Sequence, residues 1–95
     1  MEYFVIGERE IVLAFMLVGV KGQTAVNRSE ALNAFMRVTG QSASVDSPAE
    51  QDRPKVLILT EDVSDMLSPE VRDWQMKGSS PLIVEIPGLG GHIEG

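Results

Sequence analysis

The sequence predicts an α/β domain, a small four-stranded parallel sheet with helices on both faces. Three observations predict it. Leu82–Ile86 is apolar apart from Glu85 and stands between Pro81 and Pro87-Gly88. Such a run reads as a strand covered on both faces, because strands with one wet face alternate more cleanly. Residues 55–60, Lys-Val-Leu-Ile-Leu-Thr, form a second β-rich apolar run. Runs of this kind alternate along the chain with segments whose apolar residues recur at helical spacing, the pattern that builds parallel sheets.

The elements follow in order. Tyr3-Phe4-Val5-Ile6 is a short β-rich strand stopped by Gly7. A helix over residues 8–18 follows at once, its acids in the first turn where the helix dipole favours them. Ile11, Phe15 and Val18 share one face, which Val12 and Leu13 widen; Gly19 ends the helix and Val20-Lys21-Gly22 is a turn. Residues 23–26 read as the second strand. Asn27 is a helix N-cap with Glu30 three places later, close to a capping box. The helix behind it carries Ala31, Leu32, Phe35 and Val38 at helical spacing and stops at Gly40. Residues 41–54 are a polar, Ser- and Pro-containing loop, with a turn of helix expected near Ala49. The third strand ends in Thr60, which can cap the next helix. Val63, Met66, Leu67, Val71 and Trp74 then recur at helical spacing, with Trp74 expected in the core. Ser68-Pro69-Glu70 interrupts them, and proline is tolerated in a first helical turn but not in an interior. Two short helices, or one broken at Ser68, are expected. Gly78-Ser79-Ser80 is the exit loop before the fourth strand, Leu82–Ile86. Residues 1–87 thus make one domain, and residues 88–95, half of them glycine, read as a flexible tail. With right-handed crossovers the natural closure is the flavodoxin-like strand order 2-1-3-4.

Composition narrows the function. The chain has 95 residues and a net charge of −6. That balance disfavours a nucleic-acid partner, which needs clustered Lys and Arg. There is no cysteine, so disulfides, thiolate chemistry and cysteine-ligated metals are excluded. The longest apolar run, residues 11–20, is half of the roughly twenty residues that a membrane span needs. Glu2, Glu8 and Glu10 stand where a secretory signal would be basic, so a buried helix is the expectation there.

No set of residues assembles a reaction. After the first strand, Gly7-Glu8-Arg9-Glu10 would turn two carboxylates toward any phosphate, the wrong sign for a phosphate loop. Gly88-Leu89-Gly90-Gly91 resembles part of a dinucleotide fingerprint, but Ile93 holds the third glycine position. A phospho-receiver needs an acceptor Asp at the end of the third strand, where this chain has Leu59-Thr60-Glu61. His92, the one histidine, lies among glycines with nothing to orient it, and Ser79-Ser80 has no assignable base. No catalytic, metal or cofactor residue is predicted. Glu85 is the remaining oddity. It either reaches solvent at the carboxyl edge of the sheet, or it contacts a partner or pairs with Arg9 or Lys77.

Three segments resemble the F subunit of the rotary V-type and archaeal-type (A-type) ATPases. The first is Val5-Ile6-Gly7-Glu8 followed by Phe15-Met16-Leu17-Val18-Gly19-Val20; the second is Ile58-Leu59-Thr60-Glu61. The third and most specific is Pro81-Leu82-Ile83-Val84-Glu85-Ile86-Pro87-Gly88, similar to the family's Pro-x-Ile-Val-Glu-Ile-Pro-Gly signature. Ala14 stands where the family commonly has glycine, and the loop 41–53 is longer and more polar.

The resemblance implies a non-catalytic central-stalk subunit without cofactor. It would bind the coiled-coil D subunit of the rotor and turn with it, coupling ATP turnover to proton or sodium movement. It would be cytoplasmic and peripheral to the membrane, with no membrane insertion of its own and no nucleic-acid partner. Glu85, Ile86, Pro87 and Gly88 of the signature are the candidate partner-binding residues. The family's C-terminal helix, which reaches the catalytic head subunits, has no counterpart before Gly95, so that contact is not carried over. The fold order alone leaves a second class open, a receiver-like or small-ligand regulatory domain.

Overall fold

A computed structural model describes residues 2–41, 53–78 and 81–88. The elements are β1 (Tyr3–Gly7), α1 (Arg9–Leu17), β2 (Lys21–Thr24), α2 (Arg28–Val38), β3 (Val56–Thr60), α3 (Glu61–Met66), α4 (Ser68–Lys77) and β4 (Leu82–Ile86). All pairings are parallel, in the order β2-β1-β3-β4. The predicted fold class and strand order are those observed. Two short helices are present, as expected, with α3 and α4 meeting at Leu67 and Pro69 in the first turn of α4. The polar loop beyond Gln41, the turn of helix near Ala49 and the tail beyond Gly88 lie outside the described residues.

Side chains alternate between two cores. Toward α2, α3 and α4 the sheet offers Ile6, Leu57 and Leu59, all fully buried with Phe35, Val63 and Leu67. Toward α1 it offers Val5 and Ile58, packed with Val12. The expected apolar faces of α2 and of the α3–α4 pair are therefore core faces. Trp74 is buried, and its indole N–H donates to the Pro81 carbonyl at 3.0 Å, tying α4 to the start of β4.

Local chemistry sets the ends. Asn27 Oδ1 accepts from the Glu30 N–H at 2.9 Å, as a capping residue should. Glu30 reaches back one residue further than a capping box requires, to the Val26 N–H. The α2 helix closes in a Schellman turn: Gly40 N–H bonds Arg37 O, Gln41 N–H bonds Met36 O, and Gly40 takes φ +76°. Thr60 is the N-cap of α3, but its hydroxyl makes no capping bond.

Three expectations are corrected. The second strand is Lys21–Thr24, not residues 23–26, and Val20-Lys21-Gly22 is not a turn. Register with β1 selects it. Gly22 sits opposite Val5, and a Cβ there would meet Val5 Cγ1 at 2.5 Å and Val12 Cγ1 at 3.0 Å, so only glycine fits under α1. The first helix is not a buried helix: Val12 is its one buried residue, and Leu13 and Val18 are exposed. The helix has one neighbour layer to pack on and more apolar residues than that layer can cover. β4 is not covered on both faces: it is an edge strand, with Leu82, Val84 and Glu85 exposed. Of the two readings of Glu85, the pairing with Arg9 or Lys77 is not seen among the described residues; Lys77 lies 3.6 Å from Asp73.

Candidate functional site

Ligands of open α/β sheets sit outside the carboxyl ends of the strands. In this chain those ends carry Gly7-Glu8 after β1, Glu61-Asp62 after β3 and Pro87-Gly88 after β4. The chain comes close here: a Cβ on Gly88 would meet Glu8 Oε1 at 2.6 Å and lie 3.9 Å from Asp62 Oδ2. The edge is acidic. No group of three or more His, Asp or Glu side chains among the described residues could hold a metal ion.

The four residues singled out from sequence do not form one site. Strand alternation sends them to different sides. Glu85, paired in register with Leu59, faces the α3–α4 side and lines a shallow polar cleft with Ser64, Asp65, Ser68, Arg72 and Gln75. Ile86, in register with Thr60, packs against the Val5–Val12–Ile58 core on the α1 side. Pro87 is exposed, and Gly88 is the point of approach to Glu8. Glu85 does reach solvent, the plainer of its two readings.

Two further features stand out in three dimensions. Between β2 and α2 lies an open groove of about 620 Å³, lined by Gln23, Thr24, Asn33 and Arg37, in which Arg37 donates to Gln23 Oε1 at 3.3 Å. Glu30, Val26 and Ala34 complete the lining, so the groove offers mainly polar contact. The other feature is apolar. Leu17 is 87% and Val18 76% exposed at the end of α1, Leu82 is 66% exposed on β4, and Tyr3, Met16 and Val84 are exposed near them in sequence or in register. The unbroken apolar run of residues 11–20 was the signal, since a helix packed on one side cannot bury apolar residues all round.

One ion pair ties the helices together. Arg28, at the start of α2, holds Glu70 of α4 with both terminal guanidinium nitrogens, Nη1 and Nη2, and Nη1 also donates to the Met66 carbonyl at the end of α3. The hydrogen bond from Arg28 holds the Glu70 carboxyl below the ordinary carboxylate range. The same bond raises the Arg28 guanidinium further. Both ends lie at the surface, so the pair is a clasp between α2 and the α3–α4 junction. Among the described residues no helix is long and apolar enough to cross a membrane.

Among known protein families, the model described as ATP synthase (F/14-kDa) subunit matches residues 4–95, nearly the whole chain. No curated protein matches it.

Proposed function

The chain belongs to the ATP synthase (F/14-kDa) subunit family, and is thus a subunit of a V/A-type ATPase; from that premise we propose that it is a non-catalytic central-stalk subunit. It binds the coiled-coil D subunit of the rotor in the soluble sector of the enzyme, peripheral to the membrane. It turns with that coiled coil and so helps couple ATP turnover to proton or sodium transport. The observation that carries the reading is the family match across residues 4–95. The parallel α/β fold supports it, as a rigid body that can ride on a rotor. Exposed Tyr3, Leu82 and Val84, which share the α1 side of the sheet, support it too, because grouped apolar surface marks sites of association.

The test is direct. Purified chain and purified coiled-coil rotor subunit, mixed at micromolar concentration, are expected to co-elute in size exclusion as a one-to-one complex. Separate elution up to the highest soluble concentration would sink the reading. Incubation with a small phosphoryl donor serves as the control for a receiver-like domain, and no label is expected on the chain.

A further inference from the structure

A parallel sheet is stable when both faces are covered. On one face α2, α3 and α4 cover β1 and β3 so well that Ile6, Leu57 and Leu59 have no exposure. On the other face the only described helix is α1, and it lies over β1 and β2. Beyond it Ile58 and Thr60 of β3 are buried and Val56 and Ile86 partly so, while Leu82 and Val84 of β4 are exposed, with no described helix over them. Register places the side chains of this face in rows across the strands. Tyr3, Val56 and Leu82 form one row, Val5, Ile58 and Val84 the next. In the second row exposure rises toward the edge, from buried Val5 and Ile58 to Val84 at 40%; in the first, Val56 is half-buried between Tyr3, 49% exposed, and Leu82, 66% exposed.

The strip has the dimensions of a helix seat. Five strand residues at about 3.3 Å each give roughly 16 Å of length, and neighbouring strands lie about 4.8 Å apart. Three turns of an α-helix, about 10 Å across, fill that footprint. A strand added to the free edge of β4 would satisfy its backbone groups but leave Tyr3, Leu82 and Val84 in water. A helix covers all three.

Charge gives the seat a direction. At its amino end Lys55 and Glu2 lie 3.8 Å apart and offset one another. At its carboxyl end the Glu8 and Asp62 carboxylates converge on Gly88. We propose that the exposed α1-side face of β4 seats one helix of the rotor partner, with an apolar stripe over Tyr3, Val56, Leu82 and Val84 and a Lys or Arg at the end that meets Asp62. This rests on the reading of the chain as a rotor-binding subunit.

The chain has no cysteine, so a single introduced thiol reports one position. Leu82→Cys and Met76→Cys are both at exposed sites, Met76 being 82% exposed on α4, on the far side of the sheet. With the coiled-coil rotor subunit in saturating excess, maleimide labelling of Leu82→Cys is expected to slow at least tenfold and that of Met76→Cys to stay within twofold. The Asp62→Lys variant is expected to bind the coiled coil at least fivefold more weakly at low salt, with the difference narrowing as salt is raised. Complex formation with unchanged labelling of Leu82→Cys would overturn the proposed seat and leave the rotor-binding reading standing. Failure of the unmodified chain to co-elute with the coiled coil would remove both. Slow labelling of Leu82→Cys in the chain alone, deepening with its concentration, would assign the face to a second copy and overturn the proposal. If either cysteine variant failed to fold, the Tyr3→Ser variant would decide instead: an affinity for the coiled coil equal to that of the unmodified chain would refute the seat.

Discussion

Replacing Trp74 with phenylalanine tests the packing of α4 on the sheet. Trp74 is buried, and its indole N–H is the partner of the Pro81 carbonyl at 3.0 Å. Phenylalanine keeps a ring but loses the donor, so a buried carbonyl is left unpaired, at a cost of about 1–3 kcal/mol. It also leaves a void of roughly 40 Å³, and at about 24 cal/mol per Å³ this adds about 1 kcal/mol. The sum is about 3 kcal/mol. At roughly 0.05–0.15 kcal/mol per residue a chain of this length has about 5–14 kcal/mol in all, so the loss is a large share. At about 4–8 °C per kcal/mol the melting midpoint should fall by about 12–24 °C. Trp74 is the single tryptophan, so the variant is followed by far-ultraviolet circular dichroism and not by fluorescence. Met76→Ala, on the exposed side of the same helix, is the control and should change stability by less than about 0.5 kcal/mol. A Trp74→Phe midpoint within about 3 °C of the unmodified chain would refute the account of α4 docking, given the size expected for a lost buried hydrogen bond.

Three further outcomes follow from the same structure. Asn27→Ala removes the acceptor of the Glu30 N–H and should destabilise the chain by about 1 kcal/mol in urea unfolding; an unchanged midpoint would contradict the cap. Ile58→Asp puts an unpaired charge between Val5 and Val12, and is expected to abolish the cooperative melt; a melt at the original temperature would exclude Ile58 from the α1-side core. Glu70→Gln tests the clasp through its pH dependence. The folded carboxyl is held below its ordinary value by the Arg28 hydrogen bond, so its contribution is complete above the unfolded value of about 4.3 and is lost as pH falls through the folded value. The gap in melting temperature between the unmodified chain and Glu70→Gln should be widest near neutral pH and close on acidification, and a gap that did not narrow would exclude the ion pair as its source.

The legible part of the fold was its centre. β1 and β3 are paired to each other and flanked on both sides, so their runs are apolar on every residue that packs, and Val5, Ile6, Leu57 and Leu59 announce them. The helix stops were legible for a different reason. A Schellman turn needs a left-handed residue, and Gly19 and Gly40 supply it with φ of +91° and +76°. β2 was misplaced because in Lys21-Gly22-Gln23-Thr24 only Thr24 favours a strand by itself. Its position is imposed by pairing with β1, and Gly22, a weak strand former, is required by the closeness of Val5 and Val12. The candidate site was legible only in part. The signature residues Glu85 to Gly88 do lie at a sheet edge, but a linear motif hides that successive residues face opposite sides. The Arg28–Glu70 clasp joins residues 42 positions apart and leaves no trace in local sequence.

The two edges of the sheet are built on different rules. An exposed edge strand invites unwanted pairing, and proteins blunt it with lysine, shortness and polar side chains. β2 follows that rule: four residues long, it opens on Lys21 and carries Gln23 and Thr24 outward or half-outward. β4 does not. It is longer, carries no basic residue, and shows Leu82 and Val84 to water. Since both edges belong to one sheet in one chain, a general tolerance for exposed apolar strands does not explain the contrast; it would have left β2 apolar as well. A local requirement at β4 does explain it. Pro81 and Pro87 bracket the strand and limit how far an added strand could extend the ladder, which leaves the face, not the edge, as the useful surface. The apolar run of β4 is that of a strand covered on both faces, and on the proposal above the second cover comes from the partner's helix.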